Sequence, residues 1–280
     1  MIDFNGGSIR ISDKEFEKLG KLIYDNFGIN LTAEKRQLVE GRFQKILRNN
    51  NLKNFSDYLN FLNSHPSQKH DRIGELVNQI STNHTFFYRE PKHFELMEKE
   101  WLPELIKKNA SSKKLRVWCA ASSTGEEPYT LLAILLRTLG ANYRNWDTGV
   151  LATDISSKAL GIANDGIYSR TDVDALPKML SSLVFEALNK SQVKVKESVK
   201  SEIMFRRFNL MNPLPFRNNF DLVFCRNVMI YFDKDTTVNL VNRIYQKMNP
   251  GGYFIISLSE SLVRDKTPFK YICPGVYIKN

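Results

Sequence analysis

Between Leu115 and Leu139 three kinds of sequence follow one another without a break. An apolar run from Leu115 to Ala121 meets a turn of small residues, Ser122 to Gly125. Glu126, Glu127 and Pro128 then lead into the apolar stretch LLAILL. The pattern predicts a buried strand, a tight turn and a helix N-terminus, where Pro128 is tolerated because the first helical amides have no intrahelical acceptor. A strand that turns straight into a helix is the building unit of an α/β sheet, and that junction is where a cofactor meets the sheet. Two carboxylates there would repel a pyrophosphate. They suit a cofactor that carries a cation, such as the amino and sulfonium groups of S-adenosylmethionine. Only Gly125 stands in the turn, so the G-x-G-x-x-G pattern is absent, which counts against NAD and other phosphate-bearing cofactors.

The alternation continues to the end of the chain. Strands are predicted at Leu115–Ala120, Gly149–Thr153, Met204–Leu210, Asp221–Cys225 and Tyr253–Leu258. Helices are predicted at Glu126–Leu139, Ser156–Asn164 and Lys234–Met248, and a closing hairpin pairs Phe269–Cys273 with Val276–Lys279 around Pro274-Gly275. Such a series specifies a mainly parallel sheet with helices on both faces, and the terminal hairpin is the mark of class I methyltransferases. Residues Ser12 to Gln79 read instead as a small bundle of four helices. Ser12 and Asp13 cap the first, which runs through Tyr24. Thr32 caps the second, over Ala33–Arg48 with a stripe of Val39, Phe43 and Ile46. Ser56 caps the third, which ends before His65-Pro66, and the fourth spans about Lys69 to Ile80. A further helix from Lys92 to about Lys107 leads to the polar linker KKNASSKK.

The formal charge of +10 calls for an anionic partner or for ordinary solvated faces. Basic residues gather in two places: Lys35, Arg36, Arg42, Lys45 and Arg48 on the second helix, and the segment from Lys190 to Arg207. No basic-then-apolar leader and no apolar run of about 20 residues is present, so a cytoplasmic chain without membrane insertion is expected. Cys119, Cys225 and Cys273 are expected as reduced thiols. His65, His70, His84 and His93 have no companions at metal-ligand spacing, and neither Cys119 nor Cys225 has a histidine at triad-like spacing. Neither a metal nor a thiol nucleophile is expected.

Several residues fall at the C-terminal ends of predicted strands, the edge where open α/β sheets bind ligands. Asp154 suits the two hydroxyls of a ribose, or the N-cap of the next helix. Asn209-Leu210 and Arg226-Asn227 suit an adenine and a methionine carboxylate, or, for Asn209, a simple turn. Tyr231 reads either as a site residue or as a core aromatic.

The strings STNHTFFYRE, WCAASSTGEEPYT, LATDIS, FNL and FDLVFCRNVMIYFD, in this order, resemble the CheR-type chemotaxis receptor (protein-glutamate) O-methyltransferases. The likeness extends to the N-terminal LTAEKRQLVEGRFQKILR and covers nearly the whole chain. It implies a helical N-terminal domain over 1–82 that docks the receptor, and a linker with a connecting helix over 83–114. A class I, Rossmann-like methyltransferase domain over 115–280 follows, with a small inserted β-subdomain at about 170–204. It further implies that S-adenosylmethionine is used and S-adenosylhomocysteine released. Asn83 and Thr85 would contact the cofactor, with Arg89 beside the methyl-transfer centre. Glu127, or less favoured Glu126, would hold the amino group and Asp154 the ribose. Asn209, Leu210, Arg226 and Asn227 would line the adenine and methionine ends, and Tyr231 would face the methyl. The acceptor would be a glutamate side chain of a chemoreceptor, already ionised at neutral pH, so no general base is needed. Arg42, Lys45 and Arg48 would dock the acidic methylation helices of the receptor.

One departure stands out. Relatives that bind a receptor's C-terminal pentapeptide carry a glycine-rich loop in the insert, whereas FEALNKSQVKVKESVKSEIMF has no glycine, so independence from the pentapeptide is expected. Two rival functions are a nucleic-acid methyltransferase and a non-catalytic S-adenosylmethionine-binding regulator. The first is disfavoured because CRNVMIYF stands where a (D/N)PP(Y/F) loop is usual and no Pro-Cys pair occurs. The second is disfavoured by the presence of Arg89 and Tyr231.

Overall fold

The computed structural model describes residues 10–64, 72–74, 76–77 and 84–280. They fall into two compact units, Met1–Asn83 with the tripeptide Tyr231–Asp233, and His84–Ile230 with Lys234–Asn280.

The first unit is helical. Ser12 caps the helix Asp13–Phe27, and Glu15 completes a capping box with it. The helix runs on past Tyr24 because Gly28, at φ 67°, supplies the left-handed stop. Thr32 makes no capping bond; a 3-10 turn, Ala33–Lys35, precedes the helix Arg36–Asn49. The buried stripe of that helix is Val39, Phe43 and Leu47, and the predicted Ile46 is only half-buried. The helix Phe55–Ser64 is capped by Asn54, whose Oδ1 accepts from the Asp57 amide at 2.8 Å. Ser56 points elsewhere, donating its hydroxyl to Glu15 at 2.7 Å and so tying the first and third helices. Phe43 packs on Phe55 and Tyr58 with ring centroids 4.7 and 4.9 Å apart. The fourth predicted helix falls largely outside the described residues, although 72–74 and 76–77 are helical and Ile73, Leu76 and Val77 are buried. His65, His70 and Asn83 lie outside the described residues. The tripeptide joins this unit through an isolated antiparallel bridge between Ile29 and Phe232 and a bond from the Asn30 amide to the Tyr231 carbonyl.

The second unit holds ten strands: β1 (Lys114–Ala120), β2 (Asp147–Asp154), β3 (Ile167–Ser169), β4 (Phe185–Ala187), β5 (Gln192–Val195), β6 (Ile203–Arg207), β7 (Phe220–Cys225), β8 (Met248–Ile255), β9 (Lys270–Cys273) and β10 (Val276–Ile278). Seven form one sheet in the order β6-β2-β1-β7-β8-β10-β9. The first five are parallel, and β10 runs antiparallel to both β8 and β9, which gives the class I methyltransferase topology foreseen from the pattern. Ala120 pairs with Thr153 on one side and Cys225 on the other, so β1, β2 and β7 end together at one edge. Every residue of β7 is buried, as expected of a central strand covered on both faces.

The other three strands form an antiparallel sheet, β3-β5-β4, inserted between β2 and β6. It explains the composition of the helix Glu126–Leu139, which is apolar on all sides and buried from Pro128 to Leu135. The main sheet covers one flank, and Tyr168 and Phe185 of the insert cover another, each about 6 Å from the Tyr129 ring centre. A long helix leads into the sheet in three parts: Pro91–Leu96, a π-helical turn Met97–Trp101, and Leu102–Lys108. Pro103 has no amide to donate to Lys99, and the wider turn absorbs that loss. Phe94, Met97, Trp101, Leu102 and Leu105 are all buried.

Candidate functional site

The loop after β1 carries three residues in the left-handed region within five positions: Ala121, Ser123 and Gly125. A β-carbon on Gly125 (φ 102°) would meet the Tyr168 hydroxyl at 2.6 Å and the Ala163 side chain at 2.9 Å, so only glycine fits. Tyr88, Glu90 and Asn227, on neighbouring loops of this unit, are also left-handed. Backbone strain gathered at one edge is the signature of a functional site rather than of a resting scaffold.

Carboxylates gather at the same edge. The Asp154 Oδ2 accepts from the Ser123 amide and its Oδ1 from the Ser156 amide, both at 2.8 Å. Ser156, not Asp154, caps the next helix, through a 3.1 Å bond from the Ala159 amide. Burial pushes the Asp154 carboxyl above its ordinary range against the pull of these amides. Glu126 is also raised by burial, with the hydroxyls of Thr124 and Thr85 drawing it back down. Glu127 has a different surrounding. Its Oε2 pairs with Arg226 Nη1 at 2.5 Å, and among the described residues its Oε1 accepts only a thiol bond, from Cys119 at 3.1 Å. Cys119 is fully buried, and burial followed by the Glu127 charge pushes its thiol well up. It is a wall, not a nucleophile.

Arg226 is the hub. Its guanidinium is 1% exposed and bonds Glu127, Glu90 (3.1 Å) and the carbonyl of Arg89 (2.5 Å). The sequence placed Arg226 as a lining residue; in the structure its guanidinium bonds Glu127 and the backbone carbonyl of Arg89. Arg89 itself is half-buried, with Nη1 on the His84 carbonyl at 2.5 Å. Asn227 donates its side-chain amide to Ser257 Oγ at 2.7 Å. Three groups that sequence reasoning missed hold these loops. Glu90 accepts from Ser257 Oγ at 2.7 Å and the Leu258 amide at 3.0 Å. Glu260 gathers the amides of Asn227, Met229, Ile230 and Ser257. His93, buried and pushed below its ordinary range by that burial, meets the Pro274 carbonyl through Nε2 at 3.1 Å. None has a local sequence signal, since each works across a long stretch of chain.

Asn209 makes the turn foreseen as one of its two readings, with Oδ1 accepting from the Met211 amide at 3.0 Å. The loop it begins is clamped by Arg243, another missed residue, which donates to the carbonyls of Leu210 (2.7 Å), Met211 and Asn212. Tyr231 groups with the helical unit, where Lys35 Nζ stands 5.6 Å from its ring centre. Arg42, Lys45 and Arg48 also belong to that unit, Arg42 half-buried and the other two exposed. Among the described residues no three His, Cys, Asp or Glu side chains are arranged to hold a metal ion, all three cysteines are free, and no helix is long and apolar enough to cross a membrane.

The residues fit a cationic nucleoside. Glu126, Glu127 and Asp154 bring three carboxylates to the ends of β1 and β2, with Arg226 as neighbouring guanidinium. Among the described residues the hydroxyls of Ser122 and Ser123, on the loop between them, are buried without a hydrogen-bond partner. An ammonium and a ribose supply what such a set lacks.

Comparison with known proteins agrees. Residues 83–277 match the family described as CheR methyltransferase, SAM binding domain, and residues 14–81 match CheR methyltransferase, all-alpha domain. The chemotaxis protein methyltransferase of Borreliella burgdorferi is 40% identical over 276 residues, covering 98% of this chain and 96% of that one. The proteins of the same name from Escherichia coli (34%, 90% of this chain and 86% of that one) and Vibrio anguillarum (31%, 97% and 98%) are similar over comparable lengths.

Proposed function

We propose, for a chain that belongs to the CheR methyltransferase family and uses S-adenosylmethionine, that the methyl acceptors are glutamate side chains of chemoreceptors, which become methyl esters in chemotaxis adaptation. S-adenosylmethionine supplies an electrophilic methyl group, and S-adenosylhomocysteine is the product. The observation that carries the reading is the joint clamp on Arg89 and Glu127: one buried guanidinium, Arg226, holds both. A cation-binding carboxylate and a carboxylate-binding arginine are thereby fixed in one frame, which is what joining a sulfonium donor to an anionic acceptor requires.

In this reading Glu127 takes the ammonium. Among the described residues one of its oxygens faces only a thiol, a weak donor readily exchanged for a better one. Asp154 takes the ribose hydroxyls. Asn83 and Thr85 cover the cofactor, while Asn209, Leu210, Arg226 and Asn227 shape its adenine and methionine ends. Arg89 receives the acceptor carboxylate by charge-assisted bonds, and Tyr231 orients the transfer. The insert works without the receptor's C-terminal pentapeptide. Its β4–β5 turn is closed by Asn189, whose Oδ1 accepts from the Ser191 and Gln192 amides at 2.9 and 2.8 Å, with no glycine needed.

Methyl-labelled cofactor with receptor cytoplasmic fragments tests the chemistry. The labelled product is expected to release methanol in mild alkali, and fragments trimmed of the pentapeptide are expected to react as well as intact ones. Alkali-stable label would point to N- or ring-methylation, and label only on intact fragments would restore the pentapeptide.

The basic helix Arg36–Asn49 supplies the receptor-docking face, through Arg42, Lys45 and Arg48. Exposed charges are screened at about 8 Å in physiological salt, so methylation is expected to slow as salt rises. Arg42→Glu is expected to raise the Michaelis constant for the receptor several-fold at low salt while leaving kcat near wild type. Salt-independent kinetics would remove the docking role.

A further inference from the structure

Arg89 stands between two residues in the left-handed backbone region, Tyr88 at φ 60° and Glu90 at φ 61°. That region favours glycine, and neither residue is one, so the segment keeps its shape only where its surroundings over-determine it. On the Tyr88 side there is a 3.4 Å bond from its amide to Thr130 Oγ1. The Glu90 side is held much more firmly. Its carboxylate accepts from Ser257 Oγ at 2.7 Å and the Leu258 amide at 3.0 Å, and pairs with Arg226 at 3.1 Å.

Helix capping does not account for this residue. Glu90 occupies the N-cap of the Pro91–Leu96 helix but makes no side-chain capping bond; its carboxylate turns away, toward the loop after β8. Arg226 closes the ring, since the Nη2 that pairs with Glu90 also donates to the Arg89 carbonyl at 2.5 Å. Glu90 thus grips Arg89 from its C-terminal side twice, through the peptide they share and through Arg226.

We infer that Glu90 is a positioning residue for Arg89: it touches neither cofactor nor acceptor and sets the direction from which the Arg89 side chain leaves the backbone. The inference rests on the reading of Arg89 as the group beside the methyl-transfer centre. Through Arg226 it also ties that direction to Glu127, so acceptor and cofactor are aligned by one chain of contacts.

The test uses the full chain as wild type, Glu90→Gln, Arg89→Lys and the double variant. Glutamine keeps the shape of glutamate but presents an amide where one oxygen now accepts. Glu90→Gln is expected to lower kcat for receptor-fragment methylation about 10- to 100-fold. The receptor KM and the Kd for S-adenosylhomocysteine are expected to stay within about threefold. In the Arg89→Lys background the same change is expected to cost less than about threefold, because a group that acts through Arg89 has little left to lose there. Equal losses in both backgrounds, or cofactor affinity falling in step with kcat, would overturn the inference. Ser257→Ala, which removes one donor to Glu90 and touches neither arginine, is expected to repeat the kcat loss in smaller measure; a rise in KM alone would count against the role. If the wild-type chain transfers no methyl to receptor fragments, the proposed function fails. The crystal structure of Glu90→Gln then decides the positioning role: the φ angles at 88 and 90 must leave the left-handed region, and unchanged angles overturn it.

Discussion

Arg89→Ala is expected to abolish measurable methyl transfer, a loss of at least about 100- to 1,000-fold, while S-adenosylhomocysteine binds nearly as well as before. The asymmetry follows from how Arg89 is tied in. What links it to the Glu127 side of the site is its carbonyl, which accepts from Arg226 and survives replacement by alanine. What is lost is the guanidinium, which in the structure rests on the His84 carbonyl with its centre 5.7 Å from the Phe86 ring. A lysine in its place keeps the charge but not the fork, so Arg89→Lys should retain a small fraction of the rate. Steady-state kinetics beside calorimetric binding of S-adenosylhomocysteine reads both quantities. Near wild-type turnover in Arg89→Ala would remove the arginine from the reaction.

Arg226→Ala is expected to damage folding and cofactor binding together. Removing the shared cation leaves Glu90 and Glu127 largely buried without a counter-charge, and stranding one side of a buried ion pair costs about 3–5 kcal/mol. For a chain of this size the thermal midpoint should fall by about 5–9 °C. The pH dependence separates charge from packing. Burial raises the Glu90 carboxyl, but Arg226, Ser257 and Leu258 together outweigh burial and hold it below its ordinary value of 4.5. A lowered folded-state pKa adds stability above the unfolded value and loses it as the pH falls through the folded one. Without Arg226 only Ser257 and Leu258 oppose the burial, so the Glu90 pKa rises and the carboxylate becomes a burden at neutral pH that protonation relieves. The gap in midpoint between wild type and Arg226→Ala should therefore be widest near pH 7 and narrow toward pH 4. A constant gap would assign the loss to packing alone.

Much of this site is legible in the chain because it is written locally. Leu115 to Leu139 carries a strand, a turn and a helix in consecutive residues, and the observed elements, Lys114–Ala120 and Glu126–Leu139, differ from the reading by a single residue. Boundaries drift where tertiary contacts decide them. The strand expected to reach Leu210 stops at Arg207, because the Phe208 amide bonds back to the Asp154 carbonyl and Asn209 turns the chain. The strand expected to begin at Tyr253 starts at Met248, since Pro250 and Gly251 are carried within an irregular pairing with β7 rather than forming a separate turn. Ser56 looked like a cap and is a donor to Glu15, a residue 41 positions away. Glu90, Arg243 and Glu260 are illegible for the same reason. Glu90 meets Leu258 across 168 positions, and no window of sequence spans that distance. The three inserted strands, of three, three and four residues, are too short to show an alternation of their own.

The π-helical turn between Met97 and Trp101 has a consequence for length. The helix that contains it is fastened at one end to the loop after β8, where Glu90 holds the Leu258 amide, and at the other to β8 itself, where the Lys108 ammonium holds the Pro250 carbonyl. Those anchors are 18 positions apart on the helix (108 − 90) and 8 apart along the strand and the loop after it (258 − 250). Between them the π turn holds one residue more than an α-helical turn would. A single deletion between 97 and 101 is expected to return that turn to α-helical winding while Leu102 and Leu105 keep their buried face.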